Sequence, residues 1–112
     1  ASSTRIATWT AGVAIDSGVI PYVAEHMAVD TEGAAANDFL DTINGGVDGA
    51  ILRIKSVNAA RNVILTKSGN ITWGGATTTA MLGDSVDVIT LVYKESLSKW
   101  LISAYGPGVV FA

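Results

Sequence analysis

The sequence predicts an all-β protein, a small antiparallel β-sandwich of jelly-roll-like type with extended N- and C-terminal arms. Three observations carry that expectation. Twelve glycines punctuate the 112 residues, and the β-branched content between them favours strands over helices. Turn dipeptides recur at Asn44-Gly45, Asp48-Gly49 and Gly83-Asp84, residue types that tolerate the backbone of tight reversals. Residues 86–93 and 99–105 are apolar on both faces, as strands in a sheet covered on two sides are.

The elements follow in order. Residues 1–17 form an N-terminal arm rich in Ala, Ser and Thr, anchored by Ile6, Trp9, Val13 and Ile15. Residues 18–105 form the sandwich domain. It opens with a strand over 22–31 whose start is restricted by Pro21, since proline cannot donate to a ladder. Residues 34–43 are the helix-compatible stretch, with Leu40 and Ile43 three apart and Asn37 or Asp38 as cap, enough for a turn or two. Asn44, Gly45 and Gly46 then set a structural turn. Residues 50–56 alternate, with Ala50, Leu52 and Ile54 on one face and Ile51, Arg53 and Lys55 on the other, the period of a strand. Strands are expected over 62–67, 71–73 and 77–82, with turns at Ser68-Gly69-Asn70, Gly74-Gly75 and Gly83-Asp84. A hairpin of 86–93 and 99–105 follows, with Trp100, Ile102 and Ala104 on one face and Leu101 and Tyr105 on the other. Residues 106–112 form the C-terminal tail, where Gly106-Pro107-Gly108 precedes an apolar Val109, Val110, Phe111 and Ala112.

Composition narrows the function. Hydrophobic residues reach 49% and charged residues 15%, against about 25% charged in an ordinary soluble domain. A small domain leaves much of its surface in solvent, so the surplus predicts a buried subunit interface, and a closed homo-oligomer is expected. Net charge is −3, which argues against a nucleic-acid partner held by phosphate contacts. No window supplies the roughly 18 apolar residues of a membrane helix, and no membrane partner is expected. Ala1-Ser2 is the pattern left when an initiator Met is removed, which predicts an intact small gene product.

No catalytic, cofactor-binding or metal-binding constellation emerges. There is no cysteine and a single histidine, His26, so thiolate sites and multi-histidine zinc sites cannot form within one protomer. Asp30, Glu32, Asp38, Asp41 and Asp48 lack the spacing of a calcium loop, and capping or turn formation accounts for Asp38, Asp41 and Asp48. Trp73 and Trp100 could offer a sugar-stacking platform, against which stands the ordinary core role of strand aromatics.

Several segments together resemble a known module. The run 26–33 (HMAVDTEG), then Asp41-Thr42-Ile43-Asn44-Gly45-Gly46, Gly49-Ala50-Ile51-Leu52, Arg61-Asn62-Val63 and Gly69-Asn70-Ile71 are similar to a module of tailed-bacteriophage and prophage structural proteins. The resemblance covers residues 22–105. It implies a small, often trimeric β-sandwich found in capsid-associated proteins and tail fibres. The longer connection over 94–98, before Trp100, departs from the module's tight turn. Arg53 and Arg61 are the expected partners of Asp30, Glu32 or Asp41.

The function this implies is that of a non-enzymatic virion structural protein. The first expectation is a capsid cement, or decoration, protein that trimerises on the outer shell and contacts the major capsid protein. Its alternative is a tail-fibre or tail-tip module that binds a host surface glycan. Ile6, Trp9, Val109, Val110 and Phe111 are the candidate capsid or subunit contacts, because apolar side chains outside the sandwich favour burial against a neighbour.

Overall fold

The computed structural model describes residues 8–112. The chain forms β1 (Val13–Ala14), β2 (Val19–Pro21), β3 (His26–Asp30) and β4 (Asn37–Leu40), then lays β5 (Thr42–Asn44), β6 (Ile51–Ser56) and β7 (Asn62–Thr66) alongside. These pairings are parallel and in step: Val19 lies beside Thr42, His26 beside Arg53 and Asn37 beside Asn62. The chain thus winds through two coils of about 25 residues, within the range in which stacked repeats cover one another's interiors. The reason is the inward side chains. Ile20 faces Ile43, Met27 faces Ile54 and Leu40 faces Leu65 in register, and all six are fully buried.

The next layer reverses direction and closes the stack. β8 (Ile71–Thr72) and β9 (Thr79–Leu82) precede a hairpin of β10 (Ile89–Lys94) and β11 (Lys99–Tyr105), and β12 (Val110–Phe111) follows. β9 runs antiparallel to β7 and β10 antiparallel to β6. The result is a six-stranded sheet in the order β1-β3-β6-β10-β11-β8, a four-stranded sheet β12-β9-β7-β4 and a two-stranded sheet β2-β5. Trp100 is fully buried, with Tyr22 and Tyr93 edge-on at 5.1 and 5.3 Å.

Among the described residues β5 has one strand partner, β2, and side chains take the place of a second. The Asn70 carboxamide donates to the Ile43 carbonyl at 2.8 Å and accepts the Ile43 N–H at 2.8 Å, as a neighbouring peptide group would. The Trp100 indole N–H reaches the same carbonyl at 3.2 Å, and the Asn70 N–H donates to Asp41 at 3.0 Å. Gly69 permits the approach. A Cβ there would fall inside contact distance of the Asp41 carbonyl, 2.7 Å from its carbon and 2.5 Å from Thr42 Oγ1.

The all-β class agrees with the sequence, and several details are corrected. Pairing is mixed rather than purely antiparallel, because the inward apolar positions repeat from coil to coil instead of across hairpins alone. Residues 34–43 hold no α-helix: a 3-10 turn at Glu32–Ala34 leads into β4 and β5. Leu40 and Ile43 are both buried because the chain turns a corner at Asp41, where the N–H groups of Asp41 and Thr42 both donate to the Gly18 carbonyl at 2.9 and 3.1 Å. The strand expected over 22–31 is shorter, β3, preceded by a separate β2. In the hairpin, Ser103 is an extra residue on β11, since Thr90 pairs with Ala104 but Leu91 with Ile102. Such a bulge shifts facing by one, so Tyr105 joins Ile102 instead of Leu101.

The terminal segments are tied to the body where they are described. Val13 and Ala14 pair with Val29 and Asp30, and Ile15 is buried. Val109 is buried in its own chain's core, and Val110 and Phe111 pair with Met81 and Ala80. Arg61 reaches Asp30 with two bonds, 2.9 and 3.2 Å, clasping the corners of the two coils.

Candidate functional site

Two surfaces stand out, and neither is a catalytic constellation. The first is the outer face of the four-stranded sheet. Registers place Phe39 beside Ile64, Ile64 beside Met81 and Met81 beside Val110, one apolar row across all four strands. At about 4.8 Å per strand the row is about 14 Å wide. Phe39 is 55% exposed and Val110 52%, with Ile64 and Met81 half-buried between them. Asn37 with Asn62 flanks the row on one side and Thr66 with Thr79 on the other. Among the described residues this face carries no charge, whereas exposed sheets ordinarily use charged side chains against association. β4 is also an edge strand, and the Asp38 carboxylate accepts the Phe39 N–H at 2.9 Å.

The second surface is an aromatic cleft of about 340 Å³ lined by Trp73, Gly74, Thr77, Ile102, Tyr105 and Phe111. It lies where β11, in the six-stranded sheet, approaches β12, the edge of the four-stranded one. The Phe111 ring is edge-on to Trp73 at 5.7 Å and to Tyr105 at 4.7 Å. The Trp73 indole N–H donates to Thr77 Oγ1 at 2.8 Å, and Lys67 Nζ lies 4.9 Å from the Trp73 ring centre. The bulge at Ser103 brings Tyr105 into this cleft. Nothing in the sequence marks that bulge, so the Trp73–Tyr105–Phe111 grouping is absent from the sequence reading, which set Trp73 beside Trp100 instead. Trp100 is fully buried.

The expected site residues separate. The turn expected at Asn44, Gly45 and Gly46 falls instead at Asp48-Gly49, because Asn44 still belongs to β5: its carbonyl accepts the Tyr22 N–H at 2.7 Å, and Gly45, just beyond the strand, has φ 97°, a conformation that favours glycine. Gly46 lies against the Tyr93 ring with no room for a side chain. Val110 belongs to the apolar row and Phe111 to the cleft, while Val109 is in the core. Trp9 packs edge-on to His26 at 5.0 Å, with Lys55 Nζ 4.8 Å from its ring centre. Ile6 lies outside the described residues.

His26 Nδ1 is buried and, among the described residues, has no hydrogen-bond partner. The carboxylates stay local. Asp30 pairs with Arg61, Asp38 accepts the N–H groups of Glu32 and Phe39, and Asp48 accepts that of Glu95. The N–H groups of Asp87 and then Val86 hold the Asp84 carboxyl below the usual carboxylate range. No group of three metal-capable side chains occurs among the described residues, nor is any helix there long and apolar enough to cross a membrane. No protein-family model and no curated protein matches the chain.

Proposed function

We propose that this protein is a non-enzymatic structural component of a tailed-phage virion that works by assembly, as a homotrimer joined through the Phe39–Ile64–Met81–Val110 row. The observation that carries the reading is the uncharged outer face with an apolar row spanning every strand of its sheet. Burial of a large apolar side chain contributes about 1.5–3 kcal/mol, and each protomer offers four. The threefold count and the virion setting come from the module that the sequence resembles.

Two placements fit this role. A capsid decoration protein, the first expectation, would seat the trimer on the major capsid protein at the outer shell. A tail-fibre or tail-tip module would use the wound body as part of a longer rod. We favour the tail, because coils stacked at a fixed period build along an axis and Val109, assigned to a capsid-contacting arm, packs into its own core. For the same reason we read the body as a short solenoid-like stack with an antiparallel closure rather than as a jelly-roll sandwich.

Sedimentation equilibrium tests the assembly: a trimer at micromolar concentration is expected, and Phe39→Lys should give folded monomers. A monomeric parent protein overturns the reading. Quantitative mass spectrometry of particles from the encoding phage or prophage tests the placement. A few tens of copies per particle supports the tail, hundreds support the shell, and absence refutes the virion role.

A further inference from the structure

A second groove lies beside the aromatic cleft. That groove, about 480 Å³, is lined by Thr66, Lys67, Ser68, Thr78 and Thr79. Lys67 lines it while its ammonium lies over Trp73 of the cleft, and Thr77 lines the cleft where Thr78 lines the groove. The pair therefore presents aromatic rings with an ammonium and threonine side chains beside them.

The geometry points to a saccharide-binding site for a carboxylate-bearing sugar, with a pyranose ring against Tyr105 and Trp73 and its polar substituents in the second groove. Pyranose rings carry apolar C–H faces that pack on aromatic rings, and hydroxyl edges that need donors and acceptors beside them; this surface has both. Tyr105 is the accessible ring, 57% exposed in spite of its contact with Phe111. Thr77 Oγ1 accepts from Trp73, so its own proton is free to donate. Lys67 Nζ donates to the Gly75 carbonyl at 3.0 Å and retains further N–H donors.

Charge selects among sugars. Neither groove has an acidic lining residue, and Lys67 lines the second groove with its ammonium 4.9 Å from the Trp73 ring of the first, on a chain whose net charge is −3. A carboxylate placed at Lys67 gains a charge-assisted hydrogen bond, while the protein's acidic groups lie elsewhere. A proline-rich peptide would also pack on aromatic rings, but it brings no carboxylate to Lys67. The cleft's 340 Å³ is at the lower end of the ~300–1,000 Å³ of ligand pockets, the size of a site for one or two sugar rings rather than for a folded partner.

The test is a titration of the full chain with an oligogalacturonate, read by the NMR shift of the Trp73 indole N–H. Dextran oligomers of equal length and a proline-rich peptide serve as comparators. A saturable shift with a Kd of about 1 mM or tighter is expected, weakened at least about tenfold in Tyr105→Ala and in Lys67→Ala, with melting temperatures near that of the parent. The dextran oligomer should bind at least about tenfold more weakly. The proposal is overturned if the Trp73 resonance does not move, if dextran binds as well, if the variants bind like the parent, or if the peptide alone shifts it. Lys67→Arg keeps the charge and should retain binding, which distinguishes a ligand contact from a structural role.

Discussion

Replacing Gly69 with alanine puts the coil-to-cap junction under direct test. The added Cβ would meet Thr42 Oγ1 at 2.5 Å and the Asp41 carbonyl carbon at 2.7 Å, so the 68–70 turn or the Asp41 corner has to move. Backbone, rather than the end of a flexible side chain, blocks the site. Movement breaks the three hydrogen bonds that Asn70 makes to Asp41 and Ile43, each contributing about 0.5–1.5 kcal/mol net. Standing still instead costs about 1–3 kcal/mol of overpacking. Either route gives a loss of about 2–3 kcal/mol, a large part of the ~5–15 kcal/mol that holds a domain together. For a chain of this size that lowers the melting temperature by about 8–20 °C. Thermal unfolding followed by fluorescence of the buried Trp100 reads the effect. Gly74→Ala is the control: a Cβ there meets nothing within 4 Å, and a change within about 0.5 kcal/mol is expected. A Gly69→Ala protein that melts within a few degrees of the parent refutes the role given to this junction.

Gly45→Val forces a β-branched residue to a φ of 97° and should cost about 1–3 kcal/mol in urea unfolding; an unchanged midpoint removes the need for glycine at this position. Deleting residues 108–112 takes away buried Val109 and the β12 pairing with Ala80 and Met81, so the shortened chain should fold with a lower melting temperature and form weaker oligomers in sedimentation. If melting is unchanged, β12 does not hold the sheet. Burial first, and the Glu25 carboxylate second, push the Tyr22 phenol above its usual value of 10.0. The unfolded chain therefore ionises first, and this contribution to stability is complete below pH 10 and lost as pH rises through the folded value. Tyr22→Phe should flatten the alkaline limb of the stability profile while costing about 0.5–1.5 kcal/mol at neutral pH for the bond to the Ile51 carbonyl; an unaltered limb counts against Tyr22.

Class and turns were legible because glycines and alternation act locally. Ser68-Gly69-Asn70, Asp48-Gly49 and the 94–98 connection all separate strands as read, and residues 51–56 alternate in burial as their pattern predicts. The winding was not legible. Its repeat consists of inward apolar positions such as Ile20 and Ile43, while the outward residues differ between coils and the corners differ in length, so no motif recurs. Leu40 and Ile43 mimicked a helical spacing because a corner at Asp41 turns both inward. The apolar row had a local trace, since Val63-Ile64-Leu65 and Ala80-Met81-Leu82 are apolar on both faces. Its alignment with Phe39 and Val110 depended on registers between strands distant in sequence.

Parallel winding also imposes an order on folding. β2 and β3 can pair with β5 and β6 only after about 25 residues of chain have closed a loop, whose entropy must be lost before any ladder bond forms. The β10–β11 hairpin needs only the short Glu95–Leu97 turn between its strands, so it forms early and presents its other edge to β6. β2, β3 and β4 leave the ribosome about 25 residues ahead of their partners, so Ile20, Met27 and Leu40 stay unburied until Ile43, Ile54 and Leu65 arrive. Substitutions that weaken the β10–β11 hairpin should slow folding.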